Sequence, residues 1–510
     1  FGDVFVGLLL WKKLELDSLF NKLQVPGRED IEWKAMFCLS VLARLCAPSS
    51  ELAIAERWCD KTVLKDMLGI PVEKINDDRL YRTLDHIINH KDDVCKHLQD
   101  RYRDLFGTEF EFLLYDVTST YFEGLAKKNK KAKRGYSRDH RPDCLQVCIG
   151  LVVSKEGLPV GYEVFAGNRA DVTTLDEIVE LLENKYGKAS RIWAFDRGVA
   201  SEDNIAMLKE RGISYVVGTP KGMLKKFAGE LHEKNWGEVE PDIEVKIIRT
   251  PLNHNESFVL CRSEGRREKE RAIIENHRKK LEAELTKVQT AIRKGRLKDV
   301  AKAAERIGRW RGKYTRAEKL FDVEFIKDNA GELIDCVLSY KKEHSEWSEK
   351  SSGAYLLRTN LTKESPERLW KIYMQLSQAE NAFRTSKDEL GLRPIYHQIE
   401  QRVEAHIFIC FLTLALWRTL ELWAEKNGLG RSPRKLLDEF TKIKSMDIVI
   451  PIKDRPAIRL MAVSKPDQAT QILLHKMGIR LPNRTLFKEN VVEKNGVKNP
   501  QPIENKQLSF

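Results

Sequence analysis

The chain has 510 residues, with 88 Lys+Arg against 76 Asp+Glu, for a formal net charge of +12. Hydrophobic residues make up 42% and charged residues 32%, a globular balance that excludes disorder over most of the length. A chain this long outgrows one simple core, so roughly two to four domains are expected.

Nine cysteines at irregular spacing make no disulfide framework and read as reduced cytosolic thiols. The apolar start, Phe1 to Leu10, lacks the basic residues and small-residue cleavage site of a secretory signal. The longest apolar run, Ala405 to Trp417, falls short of the roughly 18–20 residues that span a bilayer. It reads as a buried helix, and no membrane partner is expected. The positive surplus is concentrated: Arg262 to Lys319 holds 20 Lys+Arg against 9 Asp+Glu. A polyanion partner and a solvated basic helix surface both fit that segment.

In chain order, residues 1–105 show helical spacing, clearest over Ile31–Leu45 and Leu80–Tyr102. Phe110–Val117 is a short apolar run suited to a buried strand. Leu145–Val153 and Leu158–Phe165, joined by Ser154-Lys155-Glu156-Gly157, read as a β-hairpin. Asp171 and Asn168 shape a turn and open a helix to about Tyr186. Arg191–Asp196 is a strand, Glu202–Arg211 a helix and Ile213–Gly218 a strand. Three strands in a row followed by alternation predict an α/β fold, a mixed sheet with helices packed on it. Strands follow at Ile243–Ile248 and Ser257–Cys261. Ile274, Leu281, Leu285, Val288 and Ile292 then form a heptad-like seam, and a second starts at Leu297 after Gly295. An antiparallel helical hairpin with a basic outer face is expected. Ala354–Thr359 is a strand, and Ser365-Pro366-Glu367 starts a helix to about Leu390. A long apolar helix covers Ile399–Trp423, and the last 20 residues form a loose tail.

Three carboxylates stand in unusual places. Asp116 and Asp196 each end an apolar strand, which suits either a turn or a ligand site at a sheet edge. Glu380 falls on the apolar stripe Leu369, Ile372, Tyr373, Leu376, Ala379, Phe383. A carboxylate facing a core needs a partner, either Arg384 or Lys387 on the same helix or a metal. Three such acids make a hard-oxygen site for Mg²⁺. Two ions about 3.5–4 Å apart would serve the attacking and leaving oxygens of a phosphodiester. Cys144 and Cys148 share a strand face and read as structural.

These acids sit among further ordered motifs: Tyr115-Asp116-Val117-Thr118-Ser119-Thr120, the run Gly135 to Asp143 (GYSRDHRPD), Phe195-Asp196-Arg197-Gly198, and Leu356 to Asn360. Tyr373, Glu380 and Lys387 keep the spacing of a Y-R-E-K signature, with Leu376 where Arg is usual. Arg393 to His397 and Arg402 to Phe408 add two more runs. Over roughly residues 105–425 the chain resembles bacterial insertion-sequence DDE transposases of the IS-four-like group, whose core is ribonuclease-H-like.

The resemblance implies Asp116, Asp196 and Glu380 as catalytic ligands of two Mg²⁺ ions, with Mn²⁺ a substitute. It implies DNA contacts from Lys387, a phosphate partner, and from Tyr373, a partner of a terminal nucleotide. Arg384 could stand in for the missing Arg. The loop after the first Asp strand supplies Lys131, Lys133, Arg134, Arg138, His140 and Arg141 for phosphate. Trp310 among cations suits base stacking or hairpin packing. The implied organisation is 1–105, a helical DNA-end-binding domain; 106–220, the first part of the ribonuclease-H-like core; 221–352, an insertion domain with the helical hairpin; 353–445, the second part, with the glutamate helix; and 446–510, a C-terminal region and tail. The implied activity is binding of double-stranded DNA at terminal inverted repeats, 3′-end cleavage and strand transfer into target DNA, as a homodimer in a bacterial, nucleoid-associated cytoplasmic setting. Two alternatives share the residues: a ribonuclease-H-like nuclease without strand transfer, and a non-catalytic DNA-binding protein derived from a transposase.

Overall fold

The computed structural model describes residues 1–23, 30–186, 191–233, 235–249, 255–328, 331–452, 455–482 and 489–491. The chain divides into two compact units, one of Phe1–Trp193 with Gln375–Phe510, the other of Ala194–Met374. Apart from Val491, the tail expected over the last 20 residues lies outside the described residues.

In the first unit the amino-terminal region is helical, with helices Gly2–Lys13, Trp33–Cys46, Asp77–Ile87 and Lys91–Phe106. Asn76 caps the third by accepting from Arg79 N at 2.8 Å, and Gly107, at φ 63°, closes the fourth in the left-handed conformation. The long helix Glu400–Lys426 packs on Trp33–Cys46 and Asp77–Ile87. Phe37 lies against Phe408 (centroids 6.1 Å apart), and Tyr162 against Phe411 (4.9 Å). The helix matches the long apolar one expected over Ile399–Trp423. It is long and apolar enough to cross a membrane, yet 78% of its most apolar window is buried in protein.

Strand β1 (Phe112–Tyr121) pairs antiparallel with β2 (Gln146–Val153), which pairs antiparallel with β3 (Pro159–Ala166). The β2–β3 hairpin forms as expected, closed by Ser154 N to Leu158 O at 2.9 Å. Helix Leu376–Asp388 packs on β1 and β2, and Leu175–Tyr186 packs on β3. Burial on both faces explains why these strands read as continuous apolar runs rather than as alternation. Ile192 N, at the start of β4 (Ile192–Phe195), donates to Glu111 O beside β1.

In the second unit, β5 (Ser214–Gly218), β6 (Gly237–Glu240), β7 (Ile243–Arg249), β8 (Ser257–Ser263) and β11 (Ala354–Thr359) lie in one sheet, in the order β5-β11-β8-β7-β6. The strands expected to open an insertion therefore continue the sheet beside β11, in antiparallel register Leu356↔Leu260. The hairpin helices Glu264–Arg293 and Val300–Lys313 form as the seam predicts. Leu281, Leu285, Val288 and Ile292 are buried in a cluster of their own with Ala303, Ile307 and Cys336. That cluster is closed by the hairpin β9 (Phe321–Lys327) and β10 (Leu333–Tyr340), which sequence reading missed.

The fold is thus mixed α/β, with mixed sheet flanked by helices and a helical amino-terminal region. Its element order of three antiparallel strands, helix, strand, helix, strand is the order expected from the sequence.

Candidate active site

Asp116 is the fifth residue of a ten-residue strand, opposite Leu151. The expectation that it ends its strand is corrected: Val117 to Tyr121 continue the ladder, with Thr118, Ser119 and Thr120 buried in it despite their polar side chains. Asp116 is half-buried, and its Oδ1 accepts from Val117 N at 2.8 Å.

Glu380 needs a second correction. The single helix expected over 366–390 is two helices, Pro366–Met374 and Leu376–Asp388, broken at Gln375. The break shifts the phase. The buried face of the second helix is Leu376, Ala379, Ala382, Phe383 and Ser386, and Glu380 points to solvent. Among the described residues it makes no hydrogen bond or ion pair. The proposed replacement cation Arg384 is exposed one turn on, and Leu376, where an Arg is usual, is buried.

Lys387, near the end of the same helix, lies 2.8 Å from Asp139 Oδ1, with its side chain only 10% exposed. Burial pulls the ammonium below its usual pKa, and Asp139 opposes that pull. Arg393 joins the same carboxylate oxygen and reaches Asp388 at 2.7 Å. Sequence reading gave Asp139 no role. The only hint was an acid between Arg138 and Arg141.

The basic loop is firmly tied. Arg138 binds both oxygens of Asp171, and its backbone N–H donates to Ser119 Oγ at 3.1 Å. Arg141 pairs with Asp143 at 3.0 Å and Glu123 at 3.1 Å and lies over the Tyr121 ring. Lys131 pairs with Glu404. Lys133, Arg134 and His140 are exposed, His140 at φ 57°. A Cβ on Gly135 would come 2.1 Å from Gly167 O, and one on Gly167 2.0 Å from Gln146 O. The loop's path against β2 and β3 thus requires both glycines. Cys144 lies in this loop, before β2 begins, so it shares no strand face with the buried Cys148.

In the second unit, Asp196 stands at the end of β4, as the sequence suggested, and is exposed. Tyr373 Oη donates to Asp196 Oδ1 at 3.3 Å. Burial first, then Asp196, raises the Tyr373 pKa and keeps the phenol protonated. Tyr355 lies beside it with ring centroids 6.5 Å apart. Arg358 on β11 binds the buried Glu256 through two nitrogens at 2.8 and 3.1 Å. Trp310 is half-buried against the hairpin cluster and stacks on Tyr314, centroids 6.2 Å apart and rings 10° from parallel.

A different cluster brings three metal-capable side chains together: Glu51, His397 and His406 are buried, with donor atoms within 4.8 Å of one another. Glu51 Oε1 lies 3.3 Å from His397 Nε2. Arg44 Nη2 donates to His406 Nδ1 at 3.3 Å, which leaves the Nε2–H to donate to Leu392 O. A guanidinium therefore occupies the lone pair a metal would need, and the cluster is a hydrogen-bonded core, not a metal centre.

Residues 107–416 match the family model described as "Transposase DDE domain". The chain belongs to this family of transposases. No curated protein matches it. Among solved structures it is similar to a cryo-EM structure of the piggyBac transposase synaptic complex with hairpin DNA, at 9% identity and TM-score 0.39, covering 85% of this chain and 79% of that one. It is also similar to the Mos1 transposase paired-end complex with left transposon end, at 12% identity and TM-score 0.15, covering 38% and 61%.

Proposed function

We propose that the chain is a DNA transposase of the IS-four-like, insertion-sequence group. It binds the terminal inverted repeats of its element, frees a 3′-hydroxyl at each end and joins that end to target DNA. The observation that carries this reading is the family match, which spans Asp116, Asp196 and Glu380 together.

Asp116, Asp196 and Glu380 would hold two divalent ions, Mg²⁺ or Mn²⁺. The donor set fits: all three are carboxylates, two exposed and one half-buried, the hard-oxygen chemistry such ions take. When bound, such ions supply Lewis acidity to the attacking and leaving oxygens of the phosphodiester. The chain's own groups do the rest. Strand and helix hold Asp116 and Glu380 on rigid backbone. The Tyr373 hydroxyl fixes one oxygen of Asp196 and leaves the other free to act as a ligand. Lys133, Arg134 and His140 face solvent and would meet phosphates, with Arg384 and Trp310 extending the DNA surface; Lys131, Arg138, Arg141 and Lys387 would have to leave their ion pairs to join it. The helical residues 1–105 would read the element end, and two copies would pair the two ends as a homodimer in the bacterial cytoplasm, at the nucleoid.

The test is cleavage of a labelled DNA fragment spanning an element end, with and without Mg²⁺, beside Glu380→Gln. Metal-dependent nicking at the element boundary, lost in the variant while DNA binding persists, is the expected result. Cutting that ignores the boundary would instead identify a general nuclease. Binding without any cutting would identify a DNA-binding derivative.

A further inference from the structure

Residues 137–141 form a strap between the elements that carry two of the three acids. The backbone N–H of Arg138 is held by Ser119, three residues past Asp116 on β1. The Arg138 guanidinium reaches Asp171, ahead of the helix that follows β3. The next side chain, Asp139, reaches Lys387 and Arg393 around the end of the Glu380 helix. Arg141 N, donating to Ser137 Oγ at 3.0 Å, closes the turn between them.

We propose that Asp139 is a positioning residue: by clamping Lys387 and Arg393 it sets the rotation of the Glu380 helix against the strand of Asp116. This rests on the transposase reading above. Three observations carry it. Lys387 is seven residues after Glu380 on an unbroken helix, so the two lie within about 20° of the same face. Anchoring Lys387 therefore adds to the packing of Leu376, Ala379 and Phe383 a polar restraint on the same rotation that directs Glu380. The Asp139 side chain is only 2% exposed, so the pair is shielded from solvent screening. Its second oxygen, Oδ2, is buried without a hydrogen-bond partner among the described residues. A half-satisfied buried carboxylate stabilises a fold less than a well-packed apolar side chain would. Stability alone does not account for an acid here, whereas placement of two cations does. The charged groups facing Lys387 are Asp139, Arg393 and Arg138.

The test compares wild type, Asp139→Asn, Asp139→Glu and the charge-free pair Asp139→Asn with Lys387→Met, all as full chains. Hydrogen exchange is read over Leu376–Asp388 and, as an internal control, over Glu400–Lys426. Mn²⁺ binding is followed by electron paramagnetic resonance, and DNA cleavage is followed against Mg²⁺ concentration. In Asp139→Asn we expect exchange of Leu376–Asp388 to rise by about tenfold or more with the control helix unchanged. Mn²⁺ affinity should fall, and the half-saturating Mg²⁺ should rise, by about 10–100-fold, the usual effect of losing a group that orients a ligand, with DNA affinity held. Asp139→Glu should restore part of each. Should Asp139→Asn fail to fold, the charge-free pair decides by the same exchange reading. Wild-type exchange and metal affinity in the variants would overturn the proposal. So would weakened DNA binding at an unchanged metal requirement, which would place Asp139 in the DNA surface. If the wild-type protein cuts no DNA, the transposase reading fails, while exchange and Mn²⁺ binding still judge the clamp.

Discussion

Gly218 makes room for Tyr373: a Cβ there would lie 2.5 Å from the phenolic oxygen and 3.2 Å from the ring carbon that bears it. Gly218→Ala must push Tyr373 away from Asp196. A displaced carboxylate costing about 1.4 kcal/mol in the transition state slows cleavage about tenfold, so a loss of at least that size is expected, with DNA affinity intact, in single-turnover assays. Tyr373→Phe removes the same hydrogen bond without a clash and should be the milder variant. The buried Glu51–His397–His406–Arg44 cluster predicts a response to acid. Burial pulls the His406 pKa well below its usual value, and the neighbouring Arg44 adds to the pull. Burial pushes Glu51 upward, but the His397 hydrogen bond and nearby cations outweigh it and set its pKa at about 2. Both folded pKa values are depressed, so both groups contribute stability at neutral pH that is lost on acidification. The loss starts as unfolded histidine takes up its proton near pH 6.5 and continues below about pH 4.5, where unfolded glutamate does. The melting temperature should fall steadily from pH 7 to pH 4, and His406→Gln should flatten the upper part of that fall.

At the scale of elements, the hairpin cluster of the second unit is a core in its own right. Leu285 is fully buried there, so Leu285→Ala should cost about 2–5 kcal/mol. Faster hydrogen exchange confined to 264–340, with β1–β3 unchanged, would confirm that this core opens on its own. The same element shows what a sequence makes legible. Its seam could be read because apolar residues recur at heptad spacing over several turns, a pattern no strand or loop imitates. The β9 strand went unread although Phe321, Val323 and Phe325 alternate with Asp322 and Glu324, the period-2 pattern of a half-buried strand. The three acids were legible as odd residues in apolar surroundings, but their settings were not. Asp116 sits mid-strand because Thr118, Ser119 and Thr120, which look like loop residues, are buried β residues. Glu380 faces solvent because the helix breaks at Gln375, and no proline or glycine announces that break. Asp139 went unread because its partners lie 248 and 254 residues away in sequence.

For the whole molecule, the amino-terminal helices share a core with the long helix rather than standing apart. Phe37, Leu42 and Leu45 are buried with Phe408, Leu412 and Leu416 in the same compact unit. Deleting residues 1–105 would bare the apolar flank of Glu400–Lys426. The shortened chain should therefore aggregate or bind a hydrophobic dye, as judged by light scattering and dye fluorescence, while a proteolytically detachable domain would leave a well-behaved remainder. The gap at Gln375 bears on how such a chain tolerates change in length. Within one continuous helix, adding a residue turns everything beyond it by about 100° relative to what comes before. At Gln375 an added residue falls in a joint, and Glu380 keeps its solvent-facing place in the phase of its own helix. Three residues later the same addition would swing Glu380 away from the face set by Leu376 and Ala379. A single-codon insertion library across 370–386 should therefore show survivors clustered at 375 and a sharp wall just before 380.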